Sequence, residues 1–130
     1  MGVLNADQIA AEIARGSIRL SRPLQARQMQ PASLDLTLGR RGWRVRASFL
    51  PPRGERVEGR LSGLMMHEID LARGAVLERG CVYLVPLQES LDLPQSVSAG
   101  ANPKSSTGRL DVFTRVIGDR TRGFDTLPAG

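Results

Sequence analysis

The residues best suited to chemistry lie in the run Asn102-Pro103-Lys104-Ser105-Ser106-Thr107-Gly108-Arg109-Leu110. A cation, two adjacent hydroxyls, small residues and a second cation five positions on would make a cradle for a polyphosphate. Backbone N–H groups, hydroxyls and a lysine ammonium can each donate to phosphate oxygens. Charge-assisted bonds of this kind contribute roughly 1.5–3 kcal/mol apiece. Lys104 stands out, because it is the one lysine among 18 basic residues, the rest being arginine. The same run also reads as a polar loop entering a strand.

Other chemistries are poorly supplied. A zinc-dependent nucleobase deaminase needs a His or Cys beside a Glu, plus a Pro-Cys-x-x-Cys pair. This chain has His67 and Cys81 and no other residue of either type. His67-Glu68 is followed at position 71 by Leu, so the two-histidine motif of zinc proteases fails too. A protein-held zinc is not expected, and His67 reads as a structural or surface residue. No motif places a histidine beside Ser105 or Ser106, and Cys81 sits in an apolar run where a thiol is usually inert core. Both glycine-rich nucleotide signatures, the P-loop and the dinucleotide fingerprint, are missing. Glu12, Glu68, Glu78 and Glu89 all precede the candidate loop and read as surface carboxylates.

The elements that must position this loop can be read from pattern. Residues 5–15 form an amphipathic helix, with Asn5 as N-cap, Gln8 three residues later, Ile9 and Ile13 on one face and Gly16 as the stop. After it the period changes from helical to twofold. Ser33 to Leu38 alternates polar and apolar and ends at Gly39, as a half-buried strand and turn do. Trp43 to Ala47 alternates again, and Pro51 to Glu55 is a loop by its breakers. Met66 to Leu71 and Ala75 to Leu77 read as short strands, Glu78-Arg79-Gly80 as a turn, and Cys81 to Leu87 as the strongest strand. Leu91 to Pro94 closes that strand, and Arg109 to Ile117 forms another after a small-residue stretch at 96–103. Residues 124–130 resemble the approach to a further strand. One short helix followed by many short strands implies a mainly β barrel or sandwich in one domain, residues 1–130.

Composition sets the outer limits. Hydrophobic residues make up 41% and charged residues 24%, which are globular values. Aromatics are only 4%, so the core must come from Val, Leu, Ile and Met. No apolar run approaches the ~20 residues that span a membrane. Met1 to Asn5 lacks the basic and apolar stretches of a secretory signal, and the lone Cys81 allows no internal disulfide, so the cytoplasm is the expected compartment. The net charge of +5 and pI near 10.9 raise a nucleic-acid reading. The arginines are spread from Arg15 to Arg122, however, and Trp43 is the one ring in the Arg40–Arg46 cluster. Base stacking is therefore poorly supplied. The expectation is a solvated basic face with no nucleic-acid and no membrane partner.

Three blocks carry a family resemblance. The candidate loop resembles the Gly-Arg-Ser-Ser-x-x-Arg phosphate motif of dUTPases and dCTP deaminases. Gln30-Pro31-Ala32-Ser33-Leu34-Asp35-Leu36-Thr37-Leu38-Gly39 is similar to that family's early Pro-Ala-Ser-x-Asp-x-x-Leu-Gly strand, and Leu77 to Pro86 to its Leu-x-Pro-Gly-x-x-x-Leu strand. The run Asn102 to Val112 is most similar to a longer bacterial branch of the dCTP deaminases whose chains hold two related halves.

The resemblance implies a dUTPase-like β-clip, a distorted jelly-roll barrel with a short N-terminal helix. It implies hydrolytic deamination of dCTP to dUTP and ammonia on the way to dUMP and dTTP. By position, Lys104, Ser105 and Ser106 would contact the triphosphate, and Arg109 would support catalysis near the cytosine. Val116 and Gly118 would lie against the base through backbone groups, and Asp119 or Asp125 would face the deoxyribose. Mg²⁺ would arrive on the nucleotide. The family's catalytic Glu would fall beyond Gly130, so the chain is expected to be an N-terminal fragment, deficient in turnover by itself. The resemblance also implies a homo-oligomer, a trimer, or a dimer for a two-half chain. Two alternatives remain: a dUTPase, to whose Gly-x-x-Asp-x-x-Tyr motif Ile117-Gly118-Asp119-Arg120 is a poor match, and a non-catalytic nucleotide-binding module.

Overall fold

Asn5 starts the first helix by closing a two-way capping box. Its side chain accepts from the Gln8 N–H at 3.0 Å, and the Gln8 side chain accepts from the Asn5 N–H at 2.9 Å. Helix α1 then runs Ala6–Arg15 and stops at Gly16, whose φ of +83° is left-handed backbone that a glycine adopts without steric cost. The computed structural model describes residues 2–52, 54–119, 121 and 123–129; Met1, Arg53, Arg120, Arg122 and Gly130 lie outside the described residues.

Three small antiparallel sheets follow. Strand β1 (Ile18–Leu20) pairs with β5 (Glu89–Leu91), with Ile18 opposite Leu91. Strand β2 (Arg41–Val45) is the centre of a second sheet, flanked by β3 (Met65–Asp70) and β4 (Val82–Leu84). The third joins β6 (Ala99–Gly100) to β7 (Thr126–Leu127). Helix α2 (Val57–Leu64) and a four-residue helical turn α3 (Ser105–Gly108) interrupt the strands. The architecture is mainly β, as the sequence pattern implies, although the sheets are not closed into one barrel.

The core sits where α1 lies against the first sheet. Ile9, Ile18 and Leu93 are buried together, with Ile13, Leu20 and Leu34 packed at the margin. Each such side chain contributes about 1.5–3 kcal/mol by leaving water. The Ile9/Ile13 face of α1 therefore supplies the driving force for docking the helix. Among the described residues, no helix is long and apolar enough to cross a membrane.

Several expected elements come out differently. Ser33 to Leu38 is extended but forms no ladder, making only isolated bridges from Leu34 to Met29 and from Leu38 to Leu87. Its backbone groups go instead to side chains and single loop contacts, notably Glu89 and Gln28. Ala75 to Leu77 is unpaired, with Val76 86% exposed. The strongest apolar run shrinks to the three residues of β4, and Cys81 lies just before it, half-buried rather than core. Arg109 to Ile117 carries no assigned strand; it leaves α3 through a turn at which Asp111 takes a φ of +57°. The expectation that Glu12 and Glu89 are surface carboxylates fails, since they are 6% and 9% exposed. Glu89 has donors that make burial tolerable, Gln28 and Thr37, whereas Glu12 is met only at Oε1, by Arg15 at 3.1 Å, and its Oε2 is buried without a hydrogen-bond partner among the described residues. His67 is exposed on β3, as expected.

Candidate phosphate-binding site

Pro103 ends the stretch after β6, and Lys104 caps the helical turn that follows. The Lys104 C=O accepts from the N–H groups of Thr107 and Gly108 at 3.0 and 3.1 Å, and the Arg109 N–H donates to Ser105 C=O at 3.0 Å. These bonds wind Ser105-Ser106-Thr107-Gly108 into one turn. The Lys104, Ser105, Ser106 and Arg109 side chains all lie on exposed residues around it. Small residues with competing hydroxyls form such short turns more readily than long helices. The first turn of a helix has N–H groups without intrahelical partners, and they are natural donors to an anion beside the ammonium and hydroxyls.

Lys104 is tied to another part of the chain. Its ammonium donates to Asp35 Oδ2 at 2.6 Å, with side chains 64% and 30% exposed respectively. The structure thus brings the first and third sequence blocks together. In the sequence Asp35 is marked only as a polar residue inside the alternating Ser33–Leu38 pattern.

The second group of candidates lies at residues 115–125. Asp125 adopts left-handed backbone, with φ at +61°. Its Oδ1 accepts from the Val116 N–H at 2.7 Å, its Oδ2 pairs with Arg115 Nε at 2.9 Å, and its own N–H donates to Val116 C=O at 2.8 Å. Arg115 in turn lies over the Phe124 ring, 5.6 Å from its centroid. Such cation–π contacts contribute about 0.5–1 kcal/mol at exposed sites. Gly118 is closely hemmed in: an added Cβ would come within 2.9 Å of Thr121 Cγ2 and 3.1 Å of Leu127 Cδ2. Asp119 points elsewhere, its Oδ1 accepting from the Val57 N–H at 2.7 Å at the start of α2.

Val116 and Asp125 are therefore brought together, while Asp119 is drawn away to α2. The two candidate groups are linked through the third sheet: Ala101 N–H, three residues before Lys104, donates to Asp125 C=O at 2.9 Å. Beside Arg115, Phe113, Ile117 and Phe124 line a shallow groove of about 130 Å³ with Val45 and Tyr83. Among the described residues, no cluster of three or more His, Cys, Asp and Glu side chains is placed to hold a metal ion.

A mainly β chain of small antiparallel sheets thus presents an exposed Lys-Ser-Ser turn close in sequence to a compact Asp–Arg loop. The chain belongs to the family described as the 2'-deoxycytidine 5'-triphosphate deaminase N-terminal domain, whose model matches residues 1–130. It is 30% identical over 128 residues to a curated protein named dCTP deaminase, dUMP-forming, of Sulfurihydrogenibium sp. (strain YO3AOP1), covering 95% of this chain and 67% of that protein. Its fold is similar to that in the crystal structure of 2'-deoxycytidine 5'-triphosphate deaminase from Agrobacterium tumefaciens, with TM-score 0.95 and 55% identity. That likeness covers 99% of this chain, which spans 39% of the solved chain.

Proposed function

We propose that the protein takes part in hydrolytic deamination of dCTP to dUTP and ammonia, and that these residues bind the nucleotide. The observation that carries this reading is the family match over the entire chain. In it, the substrate is the magnesium complex of dCTP. Lys104, Ser105 and Ser106 donate to the triphosphate, and Arg109 supports the reaction at the cytosine. Water adds to C4 of the base and the amine leaves as ammonia, so proton transfer by a general base and acid is needed, worth about 10²–10⁴-fold in rate. Every glutamate of this chain precedes Lys104, and none is assigned that role.

Asp125 suits the deoxyribose position better than Asp119, because it shares a loop with Val116, whose backbone is expected near the base. Both Asp125 oxygens are held by Val116 and Arg115, so it would meet the sugar as an already oriented acceptor. A second copy of the chain completing the site, as a homo-oligomer, and a cytoplasmic location belong to the same reading. The test is ammonia release from dCTP by the full gene product and by a Lys104→Met variant. Unchanged turnover at limiting dCTP in the variant would remove the triphosphate role from Lys104.

A second reading, in which the product is dUMP, is favoured by the dUMP-forming name of the Sulfurihydrogenibium relative. It consumes a second water and releases diphosphate. Phosphorus NMR of the reaction separates the two, since diphosphate appears along with ammonia only in the second.

A further inference from the structure

The Lys104–Asp35 contact is not an isolated surface pair. The backbone of Asp35 is gripped on both sides by one residue: its N–H donates to Gln28 C=O at 2.8 Å, and its C=O accepts from Gln28 Nε2 at 3.0 Å. Gln28 is itself 4% exposed, and the same Nε2 donates to Glu89 Oε1 at 2.9 Å. Glu89 also accepts from Thr37 N–H at 3.0 Å and from Thr37 Oγ1 at 2.8 Å. A buried Gln28–Glu89 pair thus fixes the backbone on which Asp35 stands, and the Asp35 carboxylate reaches out to Lys104.

We propose that Asp35 is a positioning residue for the phosphate-binding turn: it holds the Lys104 ammonium in place before the nucleotide arrives. The inference rests on the reading of Lys104 as a triphosphate contact. An ammonium has three donors, and Asp35 Oδ2 takes one, which leaves two for phosphate oxygens. A free lysine side chain loses much rotamer freedom on binding, and an ammonium already held loses less. The opposing effect is repulsion between the Asp35 carboxylate and the phosphate. Two anions sharing one ammonium lie closer than the Debye length of about 8 Å, so salt weakens the repulsion and the Lys104–Asp35 attraction alike, and the measured effect of Asp35→Asn reads which of the two prevails.

The test is a double-mutant cycle on the full gene product, with binding of inorganic tripolyphosphate and of dCTP measured by calorimetry at physiological salt. Lys104→Met is expected to weaken binding about tenfold, as for loss of one charge-assisted bond. Asp35→Asn, nearly the same shape, is expected to weaken it about threefold to fivefold, the range of one coupled pair at a partly exposed site. In the Lys104→Met background, Asp35→Asn is expected to do nothing further. Should Asp35→Asn fail to fold, Asp35→Ser takes its place in the same cycle.

The outcomes separate cleanly. Unchanged binding in Lys104→Met overturns the phosphate reading and the proposal together. Weaker binding in Lys104→Met with equal or tighter binding in Asp35→Asn leaves the phosphate reading standing and overturns the positioning role, making Asp35 a competing counter-ion. An Asp35→Asn loss of the same size with and without Lys104 also overturns it, because a merely structural contribution would not depend on the lysine.

Discussion

Helix α1 and its sheet bury Ile9, Ile18 and Leu93, whereas the chain just after the Lys104 turn leaves Leu110 and Phe113 76% and 91% exposed. The first region is held by non-directional burial of aliphatic groups. The second is held by directed polar contacts: Asp125 on Val116 and Arg115, and Lys104 on Asp35. The two regions divide the labour. Burial fixes a scaffold but leaves no polar group free to meet a ligand, while a polar loop keeps donors and acceptors on its surface at the cost of intrinsic stability.

The contrast can be broken most forcefully in the core. Ile18→Ala should destabilise the fold by about 2–5 kcal/mol, measured by chemical unfolding, because it removes transfer energy and leaves a cavity. A loss well below 1 kcal/mol would mean that the α1 region is not the main source of stability. Asp125→Ala should come next, costing about 1–3 kcal/mol, since the Val116 N–H loses its partner. Its signature differs in kind: amide exchange should speed up at Val116 and Asp125 far more than at Ile18. Uniform acceleration would show that the two regions unfold as one unit. Asn5→Ala should have the smallest effect, about 1 kcal/mol, as for loss of an N-cap. It should act on the α1 side alone, read as unchanged dCTP affinity alongside a lowered unfolding midpoint.

Legibility in the sequence follows the range of the interactions. Helix α1 was readable because its signals are local: Asn5, Gln8, the Ile9/Ile13 spacing and Gly16 lie within a dozen residues. Helix α2 was not. It has no buried residue, its N-cap Arg56 makes no side-chain capping bond, and its first N–H is met by Asp119, 62 positions away. Strand β5 was likewise missed, because Glu89-Ser90-Leu91 gains its character from pairing with β1. Of the candidate site, Lys104, Ser105, Ser106 and Arg109 were legible as a run of donors, and Asp119 and Asp125 could not be told apart. Asp35, given no partner, and Glu89, read as a surface carboxylate, were the costlier misses, since nothing in their neighbours announces a contact to Lys104 or Gln28.

By itself, the sequence determined the chemical inventory: a mainly β chain with an amphipathic first helix, no zinc ligand set and a Lys-Ser-Ser run suited to phosphate. Those properties depend on residue type and short spacing, which survive any arrangement of the rest. Only the tertiary structure decided which carboxylates face solvent, that Asp119 caps α2 while Asp125 grips Val116, and that Asp35 holds Lys104 across 69 positions. Burial and long-range hydrogen bonds are properties of neighbours in space, and the chain brings those neighbours together only by folding.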